Sequence, residues 1–148
     1  MGWMEFRGAL YDASSPNLRA FKSRGGKLLV WHGLADSGIA YASSIGYYEA
    51  VAKELGGRAT TDEFFRLLLI PGVHHCGGGP GLVEFDALTA LEDWVEKGRA
   101  PDQLIASRSS SGVVERSRPV YPYPTQARYS GSGDPRNASS FIPRSVSN

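Results

Sequence analysis

The sequence has a single cysteine, Cys76, among its 148 residues. One thiol cannot close an internal disulfide, and structural zinc of the Cys-rich kind is excluded because it needs several thiolates. Long hydrophobic runs are absent as well. The longest apolar stretches, Leu28 to Trp31 and Leu67 to Pro71, are strand-sized and fall far short of the roughly 18 residues of a membrane helix. No membrane partner is therefore expected. Neither sign of charge is in excess: 16 Lys and Arg stand against 15 Asp and Glu, a formal net charge of +1. That balance excludes a strongly basic nucleic-acid binder and a highly acidic solvating protein. The first residues, Met1-Gly-Trp-Met-Glu-Phe-Arg7, lack a basic stretch leading into an apolar segment. No signal peptide is visible, and the chain as written is expected in the cytoplasm. A lone thiol agrees with that compartment.

What is present is an ordinary globular mixture, 41% hydrophobic and 21% charged, with 18 glycines. The glycine share exceeds the usual ~7% and implies many tight turns. Charge divides the chain unevenly. Residues 1–106 carry 10 Lys/Arg and 13 Asp/Glu, whereas residues 107–148 carry 6 Arg and 2 acids, with 11 Ser and 5 Pro. The second stretch reads as an extended tail with little regular structure, laid over the body by Tyr121, Tyr123, Tyr129 and Phe141. Its arginines are scattered, which argues against a nucleic-acid role.

The body alternates two patterns. Lys27 to His32 is a short apolar run without alternation, which suits a strand buried on both faces. Ile45 to Leu55 then places Ile45, Tyr48, Val51, Ala52 and Leu55 at helical spacing before Gly56-Gly57. Phe64 to Ile70 reads as a second strand stopped by Pro71-Gly72. After a glycine-rich loop from Gly77 to Gly81, a helix is expected from about Val83 to Glu96, with Phe85, Leu88, Leu91, Trp94 and Val95 as its apolar stripe. Strand, helix, strand, helix is a β-α-β-α unit of an α/β fold. Two strands are few for a buried parallel sheet. Either the first residues add a strand, or the segment belongs to something larger, and the second account is preferred. An incomplete sheet has an open edge, from which self-association is expected.

Functional residues of open α/β sheets gather beyond the carboxyl ends of the strands. The first strand runs into His32-Gly-Leu-Ala-Asp36, and the second into Pro71-Gly-Val-His-His-Cys-Gly77. An Asp after one strand and a His after the next match the last two members of a Ser…Asp…His order. In such a set the carboxylate fixes the imidazole tautomer and the imidazole moves the nucleophile's proton. Spacing alone leaves an equal alternative, an Asp that caps the next segment and histidines that line a polar loop.

Longer stretches resemble a known family. Gly25-Gly-Lys-Leu-Leu-Val-Trp-His-Gly-Leu-Ala-Asp36, Pro71-Gly-Val-His-His-Cys-Gly-Gly-Gly-Pro-Gly81 and Phe85-Asp-Ala-Leu-Thr-Ala-Leu-Glu-Asp-Trp-Val-Glu-Lys-Gly98 are similar to the tannase and feruloyl esterase family. So are Phe64-Phe-Arg-Leu67, Ala100 to Ala106, Arg118-Pro119, Tyr121-Pro-Tyr-Pro124 and Gly131-Ser-Gly-Asp-Pro135. The matches run in order from about Ser15 to Phe141. The resemblance implies an α/β-hydrolase fold that cleaves esters of phenolic acids through an acyl-serine. It implies Asp36 as the residue that orients His75, and a partner cysteine for Cys76 immediately before the nucleophilic serine. It also implies that full-length relatives are secreted or periplasmic. The departures are specific. The family's Gly-Cys-Ser-x-Gly-Gly turn is not found in these 148 residues, nor is the inserted lid with its calcium site. Tyr121 stands where relatives have a cysteine.

Other groups are candidates for the missing role. Ser44, in Ala42-Ser-Ser-Ile-Gly46, has a loose nucleophile motif, but an elbow must join strand to helix, and Ser44 falls in the first turn of a helix. Ser37 has no motif. Cys76 attacks only as an exposed thiolate. A metal reading uses His32, Asp36, His74 and His75 to activate water. Against it stands the absence of any His-x-His or His-x-x-x-His spacing, and His32 reads better as a hydrogen-bonded framework residue. The Gly77–Gly81 loop lacks the Lys-Ser/Thr of a phosphate-binding loop. The expectation is a partial α/β-hydrolase fold, with a short parallel sheet flanked by helices over residues 1–106 and an extended tail over 107–148. Asp36 and His75 are the catalytic candidates, a small-molecule ester is the substrate, and no cofactor is required, a divalent metal being the alternative. A catalytically inert binding module is the competing class.

Overall fold

A computed structural model describes residues 13–146; the additional strand weighed for the first residues lies outside these. Along the chain come α1 (Arg19–Ser23), β1 (Leu28–Gly33), α2 (Tyr41–Glu54), α3 (Arg58–Asp62), β2 (Phe65–Ile70) and α4 (Ala87–Lys97). They are followed by β3 (Leu104–Ser110), β4 (Val113–Val120), β5 (Thr125–Tyr129), a short 3-10 turn (Ala138–Ser140) and β6 (Phe141–Ser145).

β1 and β2 form the expected parallel pair, in register from Leu28 opposite Phe65 to Gly33 opposite Ile70. β2 is the centre of the core because alternate side chains serve two layers. Phe65 and Leu67 join Tyr48 and Val51 of α2 in one buried cluster. Leu68 and Ile70 point the other way, into a cluster with Val73, Leu82, Leu104, Ala106 and Val120, bordered by Ala87 and Ala90 of α4. An uninterrupted apolar run is what a strand needs when both of its faces are covered. The outer edge of β2 is closed by the Tyr123 amide, which donates to the Leu67 carbonyl at 2.7 Å. β1 is different. Leu28 to His32 are only half-buried, and among the described residues no strand pairs with its second edge.

Both long helices stand where the periodicity put them, with altered ends. α2 begins at Tyr41 rather than Ile45, so Ser44 lies in its first turns. α4 begins at Ala87 because the Asp86 carboxylate accepts from the Thr89 amide at 2.9 Å, a side-chain N-cap. The stripe expected on α4 needs correction: Leu88 is 67% exposed and Val95 60%, while Trp94 is buried at 2%. The buried face instead runs through Ala87, Ala90 and Trp94, the i, i+3, i+7 rows of one helix side.

Residues 107–148 were expected to have little regular structure, and here the structure differs. β3 and β4 are antiparallel, with Leu104 opposite Val120 and an irregularity between Arg108 and Ser109. β5 and β6 pair from Thr125–Ser145 to Tyr129–Phe141. β3 also runs through residues 106 and 107, across the expected start of the tail. Ser, Arg and Thr obscured the pattern because these ribbons are mostly exposed and present few apolar side chains. Of the aromatic anchors, Tyr123 packs edge-on against Tyr48 at 5.6 Å between ring centroids. Tyr129 and Phe141 pack on each other instead, across the second ribbon.

Candidate active site

The loops after β1 and β2 meet at the carboxyl end of the parallel pair. Gly33, which ends β1, lies against the backbone after β2: a β-carbon there would sit 2.2 Å from the Val73 carbonyl oxygen. Only a residue without a side chain allows that approach. The contact is then fixed by backbone hydrogen bonds, Leu34 N–H to Ile70 at 2.9 Å and Ala35 N–H to Val73 at 3.0 Å. Asp36 and His75 are thereby set facing each other, 39 residues apart in sequence.

His75 Nδ1 is 2.8 Å from Asp36 Oδ2. The other carboxylate oxygen accepts from the amides of Gly38 (2.7 Å) and Ile39 (2.9 Å). These donors account for the acidity of the group. The Ile39 amide, then the His75 and Gly38 hydrogen bonds, hold Asp36 down at about 2 against the opposing effect of desolvation. An ionised carboxylate only accepts, so the imidazole must carry its proton on Nδ1. In the neutral ring Nε2 then has a lone pair, the form a general base needs. Asp36's side chain is 4% exposed and that of His75 is 55% exposed. The carboxylate is thus sequestered beneath a solvent-facing imidazole.

The remaining candidates are placed differently. His32 Nε2 lies 3.3 Å from Asp36 Oδ2 and 3.1 Å from the Ile39 carbonyl, while Nδ1 lies 2.7 Å from Ser44 Oγ. It is a framework residue that ties the Asp36 loop to α2, and Ser44 serves as its partner. The His74 ring lies beside Gly79. Cys76 is exposed and sits in the left-handed region at φ 58°. Among the described residues no group of three or more His, Cys, Asp or Glu side chains is arranged to hold a metal ion, and none of the helices is long and apolar enough to cross a membrane.

Sequence reasoning missed the residues that secure the His75 loop from behind. Arg108 Nη2 donates to the carbonyls of Gly79 and Gly81, each at 2.6 Å, and Arg116 reaches the Pro80 carbonyl at 3.4 Å. Glu84 accepts from the Ser109 amide and from both the Ser107 and Ser109 hydroxyls. The available signal was an arginine in a Ser-rich stretch with almost no acids to pair with. Arg108→Met should leave the core intact and loosen Gly77–Gly81. The expected result is a rise in hydrogen exchange confined to residues about 74–82 and roughly a tenfold loss of any His75-dependent turnover, since two charge-assisted bonds go. Unchanged exchange in that loop would refute the role.

Residues 4–143 match the family described as tannase and feruloyl esterase. The chain belongs to the tannase and feruloyl esterase family. It is 44% identical over 134 residues to a mono(2-hydroxyethyl) terephthalate hydrolase from Piscinibacter sakaiensis, covering 88% of this chain and 22% of that protein. It is 45% identical over 132 residues to a probable feruloyl esterase from Arthroderma benhamiae, covering 86% of this chain and 24% of that protein. Feruloyl esterase B from Aspergillus oryzae superposes with a TM-score of 0.82 at 29% identity, covering 88% of this chain and 29% of that structure. Tannin acyl hydrolase from Aspergillus niger superposes at 0.73 with 25% identity, covering 91% and 25%. The chain is thus an α/β-hydrolase-like segment of this hydrolase family, and it spans less than a third of the length of these relatives.

Proposed function

We propose that the chain carries the acid–base part of a carboxylic-ester hydrolase, with His75 as general base and Asp36 as the residue that positions it. The 2.8 Å hydrogen bond between a buried Asp36 carboxylate and an exposed His75 imidazole is the observation that carries this reading. His75 Nε2 takes the proton of an attacking hydroxyl as its oxygen bonds to the ester carbonyl carbon. Asp36 stabilises the resulting imidazolium, which returns the proton to the departing alkoxide. Water then repeats the cycle on the acyl intermediate. The attacking hydroxyl is that of a recruited serine of this chain, not yet assigned to a position, since no Gly-x-Ser-x-Gly occurs in the sequence. The relatives' names, a feruloyl esterase and a terephthalate monoester hydrolase, support an ester with an aromatic acyl group as substrate.

Hydrolysis of 4-nitrophenyl acetate and butyrate by the purified chain tests this, run beside His75→Ala with and without EDTA. Turnover is expected in the native chain, reduced roughly a hundredfold or more in His75→Ala and indifferent to EDTA. Loss with EDTA would replace the reading with a metal-bound water. No turnover above buffer would leave an inert segment.

The half-buried β1, unpaired on one edge among the described residues, supports self-association through that edge. Sedimentation velocity at micromolar concentration should show a species heavier than 16.0 kDa; a sharp monomer boundary would refute it.

A further inference from the structure

Between β2, α2 and the two C-terminal ribbons lies a cavity of about 610 Å³, apart from the Asp36–His75 pair. That volume is in the range of small-molecule sites. Its walls are mainly apolar, from Leu34, Ile45, Ile70, Tyr121, Tyr123 and Phe141, yet two of the lining residues are Arg116 and Arg118 and none is Asp or Glu. Neither arginine forms an ion pair among the described residues. The nearby carboxylate, Asp134, is engaged by Arg136. Arg116 and Arg118 are alternate residues of β4 and so share one face of the strand. Burial, and then the neighbouring Arg116, disfavour the charge of Arg118, with Asp134 acting in the opposite sense.

We propose that this cavity is a binding site for an organic carboxylate with a planar apolar body, whose charge is received by Arg116 and Arg118. Two like charges in a partly desolvated, acid-free cavity are unfavourable alone and become favourable when one anion bridges them. The Arg118 guanidinium already lies 4.1 Å from the centroid of Phe141, itself a wall of the cavity. Among the described residues one of its five N–H groups is used, toward the Ser117 carbonyl. The remaining fork is free for a carboxylate, and the tyrosine and phenylalanine rings supply flat walls for an aryl body. Simple anions lack the apolar body and neutral aryl compounds lack the charge, so both should bind worse.

Isothermal titration of the full chain with trans-cinnamate, cinnamyl alcohol and acetate distinguishes these. Cinnamate is expected to bind at least roughly tenfold more tightly than either of the others, and to weaken as salt is raised. Arg118→Met and Arg116→Met should each lower cinnamate affinity roughly tenfold and leave cinnamyl alcohol unchanged, which also reports that the cavity has kept its shape. His75→Ala should bind cinnamate like the native chain, so that this result stands or falls separately from ester turnover. Equal affinity for cinnamate and cinnamyl alcohol, salt-independent binding, or no binding at millimolar cinnamate would each overturn the proposal.

Discussion

Asp36→Asn is expected to lower ester turnover by roughly three to four orders of magnitude while the fold persists. The side-chain oxygen facing the Gly38 and Ile39 amides survives the change. What is lost is the charge opposite His75 Nδ1. An amide nitrogen placed there would drive the imidazole toward the other tautomer, with its proton on Nε2 where a lone pair is required. The pH dependence has a definite sign. Asp36 has a folded-state acidity of about 2, below the roughly 3.9 of an unfolded aspartate. Its ionised form therefore stabilises the fold fully above about pH 4, and the contribution disappears as pH falls through about 2. Thermal unfolding of the native chain and Asp36→Asn should converge across that window. A difference that persists unchanged to pH 2 would show that the carboxylate charge is not what supports the loop. Turnover in Asp36→Asn within a few-fold of native would remove Asp36 from the mechanism.

Gly33→Ala is the second large effect. The added methyl would meet the Val73 carbonyl oxygen at 2.2 Å and the His74 carbonyl oxygen at 2.8 Å. Both belong to backbone and cannot swing aside as a side chain would. Relief requires the two site loops to separate, at a cost of about 1–3 kcal/mol, or a fall in midpoint of roughly 4–12 °C for a chain of this size. Because the Ala35–Val73 hydrogen bond spans the same gap, the Asp36–His75 contact should open with it. Turnover is then expected to drop further than the lost stability explains. Differential scanning calorimetry and 4-nitrophenyl ester hydrolysis on one preparation would settle it, and an unaltered midpoint would contradict the packing.

The parallel pair and α2 were legible because burial on two faces leaves a plain signature: an unbroken apolar run, then apolar residues every third or fourth place. Asp36 and His75 were legible for a related reason, since the ends of such strands are where reactive groups accumulate, and the family likeness chose between His74 and His75. The outer face of α4 was misread. Leu88 and Val95 are apolar but exposed, and one sequence does not say which apolar residues of a helix remain uncovered. The ribbons were missed because an exposed strand has no need of apolar alternation. Arg108 escaped notice since its partners are backbone carbonyls, which carry no residue-specific mark.

The grip of Arg108 on Gly79 and Gly81 bears on how this molecule can be cut or trimmed. A chain shortened to Ala106 would retain Asp36, His75 and both parallel strands, everything a motif search would ask for. It would also sever β3 halfway and discard the guanidinium that secures the histidine loop. The Ser-rich end is therefore no dispensable appendage: nicking it should disable the distant imidazole before it unfolds the core.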